Sequence, residues 1–381
     1  MPVDVVRPHF VPIPLTVVTG FLGSGKTTLL NRVLKQPWLE STAVIVNEYG
    51  EIGLDHLLVD YVDGGAVLVA NGCLCCTVRG DLIEALEKLL QDLDQARVAF
   101  RRVIIETTGL ADPAPVLHTV AVHPYLALRY RLDGIVTVVD AVNGFATLDL
   151  HEESIKQVAV ADRIILTKTD LIAAPDGSDT KSQLTARLRE LNPAAPIFEL
   201  AADAVRADML INCGLYDAAR TLPDVTRWLA ADAYATDGSG QAPDSDPHRG
   251  HHHGRRDDGV VSFSIIHEAA IPRASIEMFL DLLRSIHGAK LMRVKGIVNI
   301  AETPEQPLVI HGVQHLFHPP MVLPRWPDAD HRTRLVFITR QTTPDSIRDL
   351  FGAFVQAAAV DRPDRTALLD NPLIPFGGLD R

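Results

Sequence analysis

Gly20-Phe21-Leu22-Gly23-Ser24-Gly25-Lys26-Thr27 is the most informative stretch of this chain. A β-branched run, Leu15-Thr16-Val17-Val18-Thr19, leads straight into it, and Thr28-Leu29-Leu30-Asn31-Arg32-Val33-Leu34 follows with helical spacing. Strand, glycine-rich loop and helix form the context in which the pattern G-x-x-x-x-G-K-[ST] cradles phosphate. Glycines let backbone N–H groups turn inward, and the helix N-terminus adds its positive end. On this reading Gly20, Gly23, Ser24, Gly25, Lys26, Thr27 and Thr28 bind a nucleotide. Lys26 reaches the β- and γ-phosphates and the Thr27 hydroxyl ligates magnesium.

Two further stretches complete a nucleotide site. Arg102-Val103-Ile104-Ile105-Glu106-Thr107-Thr108-Gly109 reads as a buried strand ending in an acid and then a glycine. Glu106 stands where an acid holds magnesium, directly or through water, and Gly109 can follow the γ-phosphate. Arg163-Ile164-Ile165-Leu166-Thr167-Lys168-Thr169-Asp170 is a strand followed by a [NT]-K-x-D sequence. The Asp170 carboxylate can accept from the N1–H and exocyclic amine of guanine, which adenine cannot reproduce, and Lys168 can lay its stem along the base. Together these residues point to GTP. Hydrolysis would be phosphoryl transfer to water, with Lys26, Thr27 and Glu106 as the catalytic set. No arginine finger is evident, so turnover in isolation should be slow. Glu48 and Asp55 are the candidates for orienting the water.

Asn71-Gly72-Cys73-Leu74-Cys75-Cys76-Thr77 crowds three of the four cysteines into four positions. Bridges between neighbours this close are strained, and four cysteines in 381 residues make no disulfide framework. Three thiolates suit zinc or copper, and less strongly cobalt or nickel. Cys73, Cys75 and Cys76 supply one sulfur fewer than a closed structural zinc site, which leaves an exchangeable position. Glu48, Glu51 or His56 could complete the shell. Cys213 reads as a core residue. The cluster lies between the phosphate loop and Glu106, where a GTPase places parts that respond to nucleotide.

A length of 381 residues suggests two domains, and 47% apolar residues can bury a substantial core. A net charge of −12 argues against nucleic acid and anionic membrane as partners. The prolines of Met1–Pro14 spoil a secretory signal, and no run of 18 apolar residues suggests a membrane span. Few, clustered cysteines fit a cytoplasmic, reducing compartment. The expected organisation is an α/β domain at 1–230 with a mostly parallel sheet flanked by helices, a histidine-rich linker at 231–258, and a small α+β domain at 259–381. His251, His252 and His253 in the linker would bind metal weakly. In the last domain strands are expected at Val260–Ile266, Lys290–Ile300, Leu308–His311, His315–His318 and Arg334–Thr339. Helices are expected at Ser275–Ile286 and from Thr343 onward. His311, His315 and His318 read as packing residues more readily than as ligands.

The set GFLGSGKTTLLN, VNEYGEIGLD, NGCLCC, ETTGLADPAP and VAVADRIILTKTD, with a terminal module after the histidine-rich linker, resembles the CobW family of P-loop GTPases. The resemblance runs from about Leu15 to about Phe354. It implies a GTPase using GTP/GDP and Mg²⁺ that delivers Zn²⁺ or Co²⁺ to a client protein; oligomerisation is left open. Thr167 stands where asparagine is commoner, which removes a side-chain amide that would brace the phosphate loop. Two rivals remain. One is a regulatory GTPase whose cysteines sense zinc, and the other a cytosolic metal buffer in which nucleotide is incidental.

Overall fold

The computed structural model describes residues 11–34, 36–39, 41–47, 58–62, 66–71, 78–172, 177–200, 206–213, 229 and 259–356. The chain opens with β1 (Ile13–Thr19), α1 (Lys26–Val33), β2 (Thr42–Asn47), β3 (Leu58–Val62), β4 (Ala66–Asn71), α2 (Val78–Asp94), β5 (Arg102–Glu106), α3 (Ala114–Val122) and α4 (Pro124–Arg129). It continues through β6 (Tyr130–Asp140), α5 (Gly144–Leu150), α6 (Glu152–Ala159), β7 (Arg163–Thr167), α7 (Gly177–Leu191) and β8 (Ile197–Glu199).

These strands form one sheet in the order β3-β4-β2-β5-β1-β6-β7-β8, parallel except for the β3–β4 pair. Val, Ile and Leu fill both faces of its centre, as a sheet covered on both sides requires. Alternation then sorts the side chains. Leu15, Val17, Ala43, Ile45, Val103 and Ile105 face α2 and α3, while Val18, Val44 and Ile104 face α1. Helix α2 answers with Leu82, Ala85, Leu86, Leu89 and Leu90, one stripe of a 3.6-residue period. Each fully buried Leu or Ile contributes about 1.5–3 kcal/mol over leaving it exposed.

The second unit is an antiparallel sheet with helices on one face. β9 (Val260–His267), α8 (Arg273–His287), β10 (Leu291–Val298), β11 (Leu308–Val313), β12 (Leu316–Phe317), β13 (Met321–Val322), β14 (Thr333–Arg340) and α9 (Pro344–Gln356) follow in that order. The strand order is β12-β11-β10-β14-β9, with β13 beside β11. Helices α8 and α9 press Ile276, Phe279, Leu283, Ile347 and Phe351 onto Phe263, Val294, Leu335 and Phe337. Five strands and both helices fall where the residue pattern puts them. The two-residue strand Met321–Val322 was not anticipated, because two residues carry no alternation to read.

The two units are joined by a buried seam. Arg293 on β10 donates to Val160 O at 2.7 Å and to the Asp162 carboxylate, and Lys295 Nζ lies 3.2 Å from the same carboxylate. Burial opposes ionisation of Asp162, but the charges of Arg293 and Lys295 outweigh it and hold the carboxyl below the usual range. Arg340 reaches Glu152 at the start of α6. Val313 and Leu316 of the β11–β12 hairpin join the core of the first sheet.

The C-terminal histidines are packing residues, as expected. His311 and His318 stack 4.0 Å apart and nearly parallel, and His315 packs against His118 of α3. Burial pushes the His318 imidazole down to about 4, and burial with His318 and Arg293 nearby pushes His311 well down, so both are neutral at pH 7. Among the described residues, no helix is long and apolar enough to cross a membrane.

Candidate nucleotide and metal site

Parallel pairing decides where the motifs meet. Val18 of β1 pairs with Glu106 of β5, Thr19 with Thr137 of β6, and Asp140 of β6 with Thr167 of β7. The phosphate loop, the acid-ended strand and the T-K-x-D stretch therefore leave the sheet at one carboxyl edge, where open α/β sheets bind ligands.

The loop itself is shaped by contacts that only glycine allows. A Cβ on Gly20, at φ 143°, would lie 2.2 Å from Val138 O. Gly25 takes φ 92° at the N-cap of α1. The Lys26 ammonium donates to Gly20 O at 2.9 Å and Phe21 O at 3.2 Å, which holds it inside the curl of the loop. Thr27 Oγ1 donates to Glu106 Oε1 at 2.7 Å. A hydroxyl and a carboxylate this close are a hard-oxygen pair of the kind magnesium takes, so the donor set fits the ion.

Behind them, Thr107 N donates to Val18 O at 2.9 Å, and its hydroxyl donates to Thr19 Oγ1 at 2.8 Å. A Cβ on Gly109 would meet Leu22 N at 2.4 Å, so the segment after Glu106 lies directly on the phosphate loop. Gln157 of α6 holds that segment by donating to Gly109 O and Ala111 O at 3.1 and 3.0 Å. Asp112 Oδ1 accepts from Ala114 N at 2.9 Å and starts α3.

On the other side, Thr167 corrects an expectation. Its hydroxyl donates to Ser24 O at 2.6 Å, so the phosphate loop is braced although no side-chain amide is present. β7 brings the threonine close enough for a short donor to serve. Lys168 takes a left-handed φ of 56° and donates to Gly23 O at 2.8 Å and Asp140 Oδ2 at 2.7 Å. Asp140 also accepts from Val142 N, Asn143 N and Asn143 Nδ2. Its burial disfavours the charge, but these hydrogen bonds outweigh it and hold the carboxyl below its ordinary range. Asp170 is exposed in the turn that follows.

Sequence reading missed Asp140, Asn143 and Gln157. The acid at the end of β6 was the available signal, since every other ligand-bearing motif also follows a strand end. Cys73, Cys75, Cys76, Glu48, Glu51, Asp55, His56, His251, His252 and His253 lie outside the described residues. Among the described residues, no group of three or more His, Cys, Asp or Glu could hold a metal ion. Cys213 is buried in the core as expected, and burial pushes its thiol well up. The strands that lead into the thiol loop and the Glu48 loop do reach the site. Asn47 pairs with Asn71, and Val46 pairs with Glu106, so β2 and β4 also end at the site's edge.

Comparison with known proteins agrees with this architecture. Residues 14–199 match the family model "CobW/HypB/UreG, nucleotide-binding domain", and residues 260–355 match "Cobalamin synthesis protein cobW C-terminal domain". The zinc chaperone YjiA of Escherichia coli is 31% identical over 340 residues, covering 89% of this chain and 98% of the relative. The zinc-regulated GTPase metalloprotein activator 1 of Schizosaccharomyces pombe is 38% identical over 195 residues, covering 49% of this chain and 46% of the relative. The crystal structure of Zn(II)-bound YjiA GTPase from E. coli superposes with a TM-score of 0.66 at 28% identity, covering 91% of this chain and 99% of that one. With the phosphate loop, the acid-ended strand and both family modules in place, the chain belongs to the CobW family of P-loop GTPases.

Proposed function

We propose that this GTPase is a zinc metallochaperone of the cytoplasm: it takes up the ion on the loop Cys73-Leu74-Cys75-Cys76 and hands it to a client protein as the nucleotide state changes. The observation that carries the proposal is the strand register. Asn71, which precedes the thiols, and Asn47, which precedes Glu48, leave the sheet at the edge that also carries Glu106. β4 lies two strands from β5, a separation of roughly 10 Å. The strand that leads to the thiols thus ends close to Glu106. The names of the two relatives above point the same way.

In this reading Lys26 contacts the β- and γ-phosphates, and the N–H groups of Gly20, Gly23, Ser24, Gly25 and Thr28 surround them. Thr27 and Glu106 would hold magnesium, which when bound neutralises charge on the phosphates. Gly109 follows the γ-phosphate, Thr167 and Lys168 hold the loop in place, and Asp170 reads guanine. Cys73, Cys75 and Cys76 hold the zinc cargo with Glu48 as a further ligand, and His251 to His253 collect metal weakly. Residues 1–230 make the GTPase domain, 231–258 the linker and 259–381 the client-facing domain.

The test is a paired titration: zinc into protein with GDP or a non-hydrolysable GTP analogue, and the analogue into protein with and without zinc. Couplings of this kind are typically about 1–3 kcal/mol, roughly 5–150-fold in affinity, and linkage makes them reciprocal. Replacing the three cysteines by serine should remove tight zinc binding and zinc's effect on nucleotide together, with basal GTP affinity retained. Equal zinc affinity in both nucleotide states would refute nucleotide-driven delivery. Transfer of zinc to an apo-client that needs GTP separates a carrier from a sensor or a buffer.

A further inference from the structure

The loop 107–113 touches a residue of the C-terminal unit. Gln314 occupies the tip of the β11–β12 hairpin in the left-handed region, at φ 53°. Non-glycine residues hold that conformation only where their surroundings impose it. Here its backbone N–H donates to Met292 O at 3.1 Å, and the flanking Val313 and Leu316 are buried in the core that contains Leu117 and Val120 of α3. His315 packs its ring on His118 of the same helix. The hairpin tip is therefore seated on α3 by apolar and ring contacts, and its polar side chain is aimed by them.

That side chain lands on Asp112. Gln314 Nε2 donates to Asp112 Oδ2 at 2.7 Å, while Asp112 Oδ1 accepts from Ala114 N at 2.9 Å. One carboxylate thus starts α3 and receives the C-terminal unit. Three residues upstream, Gly109 lies against Leu22 of the phosphate loop with no room for a side chain. From the hairpin to the phosphate loop the path is Gln314, Asp112, the turn to Gly109, and Leu22. Met292, which anchors the tip, is followed by Arg293, which clamps the seam through Val160 and Asp162.

We propose that Gln314 is a positioning residue for the GTPase loop 107–113, so that the seating of the C-terminal unit sets the rate of GTP hydrolysis. The residue is not catalytic, since it acts through Asp112. A client that shifted the β11–β12 hairpin would alter turnover without touching the nucleotide. The proposal rests on the reading that Gly109 follows the γ-phosphate.

The experiment compares the full-length wild type with Q314E, Q314A, D112N and the double variant Q314E/D112N. The readouts are GTP turnover, affinity for GDP and for a non-hydrolysable GTP analogue, and thermal melting. Q314E sets carboxylate against carboxylate and should lower kcat by about fivefold or more, within the range seen for contacting residues, with GDP affinity kept within about twofold. In the double variant the amide introduced by D112N keeps its oxygen on Ala114 N and offers its NH₂ to the new carboxylate, so most of the loss should return. A purely structural role would move melting and both nucleotide affinities together and leave kcat alone. Wild-type turnover in Q314E, or a loss that D112N does not repair while both variants fold, overturns the proposal. If Q314E fails to fold, Q314A carries the test, since it adds no charge. It should lose about two- to threefold in kcat, and an unchanged rate overturns the proposal. Equal affinity of the wild type for GDP and the analogue would instead fault the reading of Gly109.

Discussion

Lys26 and Lys295 are both lysines with little exposed surface, at 8% and 5%, and they serve opposite ends. Lys26 is held in the phosphate loop by the carbonyls of Gly20 and Phe21. Carbonyls are neutral dipoles, so a phosphate with full negative charge can take the ammonium from them. Lys295 lies in the seam against the Asp162 carboxylate, which Arg293 also engages. A buried charge locked to a fixed countercharge has no reason to leave. Burial alone therefore does not mark a functional cation; its place on a phosphate-cradling loop does.

The most severe test of this contrast is Asp162→Ala. It removes the buried carboxylate that Arg293 and Lys295 share and should cost about 3–5 kcal/mol of stability, read by denaturant unfolding. A loss below about 1 kcal/mol, the scale of exposed ion pairs, would erase the distinction between the regions. At the loop, Lys26→Ala should lower GTP hydrolysis by roughly 10²-fold or more, the scale for a lost charge-stabilising donor. Its melting should stay near wild type. Phosphate release at the wild-type rate would show that this ammonium serves structure after all.

Asp170→Asn extends the contrast to the exposed end of the site. Loss of hydrogen bonds to a carboxylate should weaken GTP binding by roughly ten- to a hundredfold and shift preference toward xanthine nucleotides. Equal binding of ATP and GTP by the wild type would remove the guanine assignment. The smallest effect is a pH dependence at the seam. Burial holds the Lys295 ammonium down to about 8, against the opposing pull of Asp162. An unfolded lysine titrates near 10.4, so between about pH 8 and pH 10.4 the unfolded chain binds more protons and stability from this group rises with pH. Lys295→Met should abolish that rise, measured as melting temperature against pH. A wild type and variant with parallel profiles would place Lys295 outside the coupled cluster.

Much of the first domain was legible because its chemistry lies in contiguous stretches. The phosphate loop between Val18 and Leu29 is specified by backbone needs: glycines at sites with no room or with left-handed φ, and a lysine directly after them. Such requirements are local and leave a local trace. Thr167 shows the limit of that trace. As a residue type it argues for a lost brace, whereas its hydroxyl reaches Ser24 O because β7 carries it there. Asp140 and Gln157 had the same problem, since an acid after a strand and a glutamine on a helix are ordinary until a partner faces them.

Local patterns were enough for a first α/β domain with a mostly parallel sheet, the phosphate cradle, the acid-ended strand and the α+β character of the last module. Periodicity, glycine and charge placement act over a few residues, and a chain displays them without folding. Which motifs share an edge emerged only on folding, as did the lock of Arg293 and Lys295 onto Asp162 and the reach of Gln314 to Asp112 across 202 positions. Those facts depend on parallel register and on the seating of one sheet against another. They arise from packing summed over the whole chain, and no short window of residues contains it.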